Sequence, residues 1–226
     1  MISRNSTIAE DLKPLTSLRF FAAAMIVGVH ATNYFPWSKG AVGYSLEYGV
    51  SFFFVLSGFI LTHVYSQKSV SFARFMLQRI ARLWPVHLST LLFVVFFIRA
   101  DSQQLAGEGF FDPNLVFVVN LFLMHSIIPF QNYTFSWNSV SWSISTEIFF
   151  YIAFLFLLKN IHKRFMAYLA VSFLFILLFD VVVWAFSIPS TGPATSLNLT
   201  FMAYASPLFR GFEFVLGMAA YLLWQA

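Results

Sequence analysis

Cysteine is absent from the 226 residues, which excludes disulfides, thiolate metal sites and a thioester carried on the protein. Charge is scarce as well: 10% of residues are Asp, Glu, Lys or Arg against 59% hydrophobic, and mean hydropathy is +0.77. That balance lies outside the range of soluble domains. No metal-ligand spacing, Walker loop, glycine-rich dinucleotide fingerprint or nucleophile elbow occurs, so we expect no metal cofactor. Long polar linkers, low-complexity tracts and repeats are missing too, which gives a single membrane-embedded domain over residues 1–226. Residues 1 to 18 hold Arg4 and Lys13 but no short apolar core with a small-residue cleavage site, and read as a cytoplasmic lead into a first span rather than a cleaved signal.

What remains is a series of apolar runs, at roughly 19–35, 46–65, 83–99, 114–129, 142–158, 165–186 and 207–226. Most approach the ~20 residues that cross hydrocarbon as helix. The fold class is therefore all-α, a polytopic transmembrane helical bundle. Lys68, Arg74, Arg79 and Arg82 follow the second run with no acid among them, which sets that connection, and the N-terminus, in the cytoplasm. The loop Pro36–Ser45 and the stretch with Asp101, Glu108 and Asp112 then lie outside. A full crossing by 114–129 would strand Lys159, His162, Lys163 and Arg164 outside. That run is also short and interrupted by Asn120 and His125 before Pro129, so we read it as re-entrant and packed against protein. The competing reading is a full span that violates the charge rule locally. About six spans and one re-entrant or short segment result. The last span is barely complete at Ala226, which suggests a C-terminally truncated chain.

Ionisable residues fall into two layers in this topology. Arg19, Arg74, Arg79 and Arg82, with Lys68, sit at the inner surface, and Arg79 and Arg82 are neighbours on one helix face. Planar guanidinium groups suit phosphate, although topology-setting charge is the plainer reading. Basic residues that hug the membrane do not imply nucleic acid. The outer layer holds His30, Glu47, Trp142, Ser143, Glu147, Arg210 and Glu213. Arg19 and His30 are eleven residues apart on one helix face, which is about 16 Å along the axis. Glu147 shares a face with Ser143 and needs a partner, with His30 and Arg210 nearest in depth. A histidine held by a carboxylate is a general base for a hydroxyl. Gly49, Gly58 and Ser57 read as helix-packing residues. His63 reads as structural, His125 as a cavity-lining or backbone-satisfying group, and Asp180 as a buried acid without an obvious partner.

Five segments follow one another along the chain: LTSLRFFAAAMIVGVHA, GVSFFFVLSGF, QRIARLWPVHL, WSISTEIFFY and PLFRGFEFVLG. Together they resemble the acyltransferase family 3 membrane proteins, which include O-acetyltransferases of surface polysaccharides. The resemblance runs from Arg19 to Gly217, and departs at His87, where the family often has tyrosine after the proline.

The resemblance implies transfer of an acyl group, usually acetyl, from cytoplasmic acyl-CoA as co-substrate to a hydroxyl of a carbohydrate or lipid-linked glycan, in the cytoplasmic (inner) membrane of a bacterium. By position, Arg19 and His30 are the first-span pair, Arg79 and Arg82 the cytoplasmic arginine motif, and Glu147 the acid of the tryptophan-serine motif. We expect His30 and Glu147 to be catalytic and Arg19, Arg79 and Arg82 to hold acyl-CoA. Trp142, Ser143, Arg210 and Glu213 are expected to support the acceptor side. Both direct attack by the acceptor and an acyl-histidine intermediate stay open. Family members have about ten spans, so the chain is expected to be the N-terminal two thirds of such a domain. The alternatives are a transporter or exporter whose solute path these residues line, or an inactive fragment.

Overall fold

The structure, a computed structural model, describes residues 13–35, 44–98, 112–192 and 196–225. The cytoplasmic lead, the loop from Pro36 and the stretch holding Asp101 and Glu108 lie outside these residues. Helix α1 is Lys13–Tyr34 and continuous, so Arg19 and His30 do share one helix. A 3₁₀ turn, Tyr44–Glu47, leads into α2, Tyr48–Tyr65. Ser71 starts α3, Phe72–Phe93, by accepting a hydrogen bond from the Arg74 amide, and a π turn over Val94–Ile98 prolongs it. Next come α4, Pro113–Leu121, α5, Gln131–Thr134, α6, Trp142–Leu158, and α7, Ile161–Ala185. The chain closes with α8, Leu199–Ala205, and α9, Pro207–Gln225. No strand occurs among the described residues.

Four stretches are long and apolar enough to cross a membrane: Tyr48–Tyr65, Phe72–Phe97, Ser139–Leu158 and Ile161–Ala185. The other two expected spans, α1 and α9, have 22 and 19 residues. Those lengths suffice for a bilayer, and the charges they carry lower their hydropathy. The 114–129 run behaves differently. Asp112 caps α4 through the Asn114 amide and proline fills its first position, but nine residues rise only about 13.5 Å. The chain then turns back at Leu123, whose φ is 56°. Side chains from both neighbours satisfy the exposed backbone there: Trp84 Nε1 donates to the Leu121 carbonyl, and Ser145 Oγ to the Leu123 carbonyl. Such shielding is what non-helical backbone at membrane depth requires.

The core lies between α2, α6 and α9, where Phe150 stacks on Phe214 at 4.9 Å and meets Phe54 edge-on at 5.1 Å. Phe75 of α3 and Phe154 of α6 are fully buried beside them. Glycine makes the tightest crossing possible. A Cβ on Gly58 of α2 would collide with the Phe214 carbonyl of α9, and one on Gly217 with the Val55 carbonyl of α2. Gly49 plays the same part against α1, where a Cβ would stand 2.8 Å from the Ala22 carbonyl.

Candidate functional site

On α3 the two motif arginines meet different surroundings. Arg79 is clamped: its guanidinium carbon lies 5.7 Å from the ring centres of Tyr65 and Phe75 and 6.0 Å from that of Tyr151. Its Nη2 donates to the Tyr65 hydroxyl at 3.1 Å, and that hydroxyl donates to Gln78 at 3.2 Å. Arg82, one turn further, is exposed. Arg19 of α1 interacts electrostatically with both Arg82 and Glu147. The three arginines line one small space, with Arg79 as the anchored member and Arg82 as the accessible one.

Glu147 belongs with this group. Its Oε1 accepts from Ser57 Oγ of α2 at 2.8 Å and from the Tyr151 hydroxyl, one turn on, at 2.5 Å. The expected partners differ. Arg210 donates through Nη1 to Glu213 at 2.7 Å and to Ser51 Oγ at 3.1 Å, and through Nε to the Tyr204 carbonyl at 2.6 Å. It also lies 5.9 Å from the Trp142 ring centre. Arg210 and Glu213 thus clasp α9 to α2 and α8 and fix Trp142 in the wall. The reason is depth: Glu147 is five residues beyond Trp142, about 7.5 Å deeper along α6, towards the arginines.

A cavity of about 350 Å³ begins at Arg19 and Arg82, passes Ser57 and Glu147, and reaches Ser143 beside Ile26 and Val50. A smaller space of about 70 Å³ shares Arg19, Ser57, Arg82 and Glu147 with it and adds Arg79 and Tyr151. Another of about 70 Å³ shares Ile26, Val50 and Ser143 and adds His30, Glu47, Trp142 and Tyr204. Their common walls put the three in series, from the arginines to His30. The carboxylate that shares His30's cavity is Glu47, not Glu147. Burial and the Glu47 carboxylate push the Tyr204 phenol up, while Arg210 pulls it down.

The remaining candidates fall elsewhere. His87 of α3 and His125, in the turn after α4, are buried and stacked, their ring centres 6.2 Å apart. His87 Nε2 pairs with the Asn120 carbonyl at 2.8 Å and His125 Nε2 with Ser141 Oγ at 3.2 Å. Burial, followed by the neighbouring His87, holds His125 down at about 3, so it is neutral at ordinary pH. His63 packs against Tyr221 and Trp224. Asp180 is exposed on α7 rather than buried. Among the described residues no three His, Asp or Glu converge as metal ligands would.

The model of the acyltransferase domain family matches residues 14–225, almost the whole chain. The chain belongs to acyltransferase family 3. Acyltransferase MdmB of Streptomyces mycarofaciens is 31% identical over 226 residues, which covers 94% of this chain and 57% of that protein. The "Putative peptidoglycan O-acetyltransferase YrhL" of Bacillus subtilis (strain 168) is 28% identical over 228 residues, 93% of this chain and 33% of that protein. This family member thus spans about a half and a third of those two relatives. No solved structure matches it. Sequence reasoning missed Ser57, Tyr65 and Tyr151 as parts of the polar network. Tyr151 carries a readable signal, being four residues from Glu147 on the same face. Ser57 lies 90 residues away, beside a packing glycine.

Proposed function

We propose that this chain takes part in transferring an acyl group, acetyl in the first instance, from acyl-CoA on the cytoplasmic side to a hydroxyl of a carbohydrate or related acceptor. Its setting is the cytoplasmic membrane of a bacterium, with the N-terminus inside. Family membership supports acyl transfer, and the name of one relative, a peptidoglycan O-acetyltransferase, supports O-acetylation of a glycan. The observation that carries the reading is the series of cavities from Arg19 and Arg82 to His30. CoA bears several phosphates and does not cross a bilayer, so its donor end calls for cations on one side and a base towards the other.

In this mechanism Arg82 and Arg19 pair with the CoA phosphates, while Arg79, clamped by aromatic rings, fixes the pitch of α3. Glu147, held by Ser57 and Tyr151, balances the arginine charge and keeps Arg19 and Arg82 turned into the cavity. The pantetheine arm then runs past Ser143. His30 takes the proton from the acceptor hydroxyl as its oxygen attacks the thioester carbonyl. The new C–O bond forms, the C–S bond breaks, and the CoA thiolate leaves to be protonated. Trp142, with Arg210 and Glu213 behind it, walls the acceptor end.

The test is acetyl transfer from labelled acetyl-CoA by membranes that contain the protein, with His30→Ala and Arg82→Gln variants. We expect loss of transfer from the first and a raised KM for acetyl-CoA from the second. Normal acetylation by His30→Ala would defeat the assignment.

A further inference from the structure

Helix α7 carries a stripe that the proposed reaction does not use. Arg164, Tyr168, Val171, Ser172 and Phe175 follow one another at helical spacing on a single face, and they form one wall of a groove of about 500 Å³. Leu208 and Val215 of α9 form the facing wall, and Leu157 of α6 closes the floor. The groove is a wedge. Phe209 of α9 meets Phe175 at 5.7 Å and Phe179 at 4.4 Å, which draws α7 and α9 together at one end. The opposite end is marked by Arg164.

Its chemistry is graded along its length. Arg164 is exposed at the mouth, and the adjoining turn adds Lys159, His162 and Lys163, all exposed. No acid lies between Leu157 and Phe175, and Asp180 is sixteen residues from Arg164, about 24 Å further along the helix. Tyr168, one turn in, brings a phenol to the same stripe. Ser172 donates back to the Tyr168 and Leu169 carbonyls, so it presents no free donor to the groove. Beyond it the walls are wholly apolar.

The geometry points to a binding site for one anionic phospholipid of the inner leaflet, its phosphate on Arg164 and one acyl chain laid along α7 towards Phe175. A zwitterionic lipid offers the same chain without the net charge that Arg164 and its basic neighbours select, and basic pockets between helices at the cytoplasmic face are where anionic headgroups settle. This site is separate from the cavity series that starts at Arg19; it rests on the proposed orientation, which puts Arg164 on the cytoplasmic side, and not on the catalytic roles.

Native mass spectrometry of the full chain, extracted in mild detergent from membranes that hold both phosphatidylglycerol and phosphatidylethanolamine, tests the proposal. We expect phosphatidylglycerol to be retained in preference. Arg164→Gln is expected to lower that retention about fivefold, the worth of one basic residue at such a surface, whereas Lys68→Gln, of equal charge but on another loop, changes it little. Arg164→Lys should keep most of it, which separates charge from misfolding. Val171→Trp, which fills the groove without altering charge, should expel the lipid. Equal retention of both lipids, or equal effects of Arg164→Gln and Lys68→Gln, would overturn the proposal. So would disulfide-linked dimers of a Val171→Cys variant, since a second copy would then fill the groove.

Discussion

Among the described residues both hydrogen bonds to Glu147 land on one carboxylate oxygen, and the carboxylate lines the cavity that the arginines share. Hydrogen bonds to a charged group are worth about 1.5–3 kcal/mol. On the proposed mechanism Ser57→Ala, which keeps the close helix packing, should loosen Glu147 and raise the KM for acetyl-CoA, by no more than the worth of that one bond, with a smaller change in kcat. Tyr151→Phe should act in the same direction, and an unchanged KM in both would remove Glu147 from the donor side. His125 makes a second residue-scale prediction. Its folded pKa of about 3 lies below the ordinary histidine value near 6.5. Below that value the unfolded chain takes up a proton that the folded protein refuses, so stability falls as pH drops from about 6.5 towards 3. Thermal unfolding in detergent at pH 5 and pH 7.5 should show this loss, and His125→Gln should reduce it. Legibility at this scale follows sequence distance. The shared face of Arg19 and His30 could be read because both lie on one continuous helix, whereas the pairing of Ser57 with Glu147 depends on how two helices meet.

Among the elements, α4 and its return show what run length and charge bias can and cannot convey. A run of about fifteen residues broken by Asn120 and His125, with basic residues beyond it, is enough to doubt a crossing. Nothing in that run says which groups receive its backbone, because the donors are Trp84, ahead of it in the chain, and Ser145, after it. Ser145→Val should leave the Leu123 carbonyl without its donor in a buried place, at a cost of about 1–3 kcal/mol. Faster proteolysis within 121–130 would register it. Glycine crossings are legible as small residues but not as partners: Gly58 and Gly217 are known to face each other only once α2 and α9 are placed.

For the molecule as a whole, the decisive matter is which side each end of the cavity series faces. The lack of cysteine makes this directly measurable. Ser69→Cys, between α2 and α3, and Lys163→Cys, at the start of α7, should react with a membrane-impermeant thiol reagent only after cells are opened. Ser187→Cys, just past α7, should react in intact cells. The reverse pattern would put the arginines outside and end the acyl-CoA reading. The fold class followed from composition and the spacing of apolar runs, while the order of packing did not, since α9 lies against both its near neighbour α7 and the distant α2. That glycine crossing has a consequence for biosynthesis. Gly217 is made about 160 residues after Gly58, a delay of roughly 10–30 s at ordinary translation rates. Throughout that interval the grooved face of α2 waits in the bilayer without its mate, and Ser51 waits for Arg210. The insertion machinery, or lipid, must hold that face until the ninth helix arrives, so slowed translation between α7 and α9 should be where this protein is most exposed to membrane quality control.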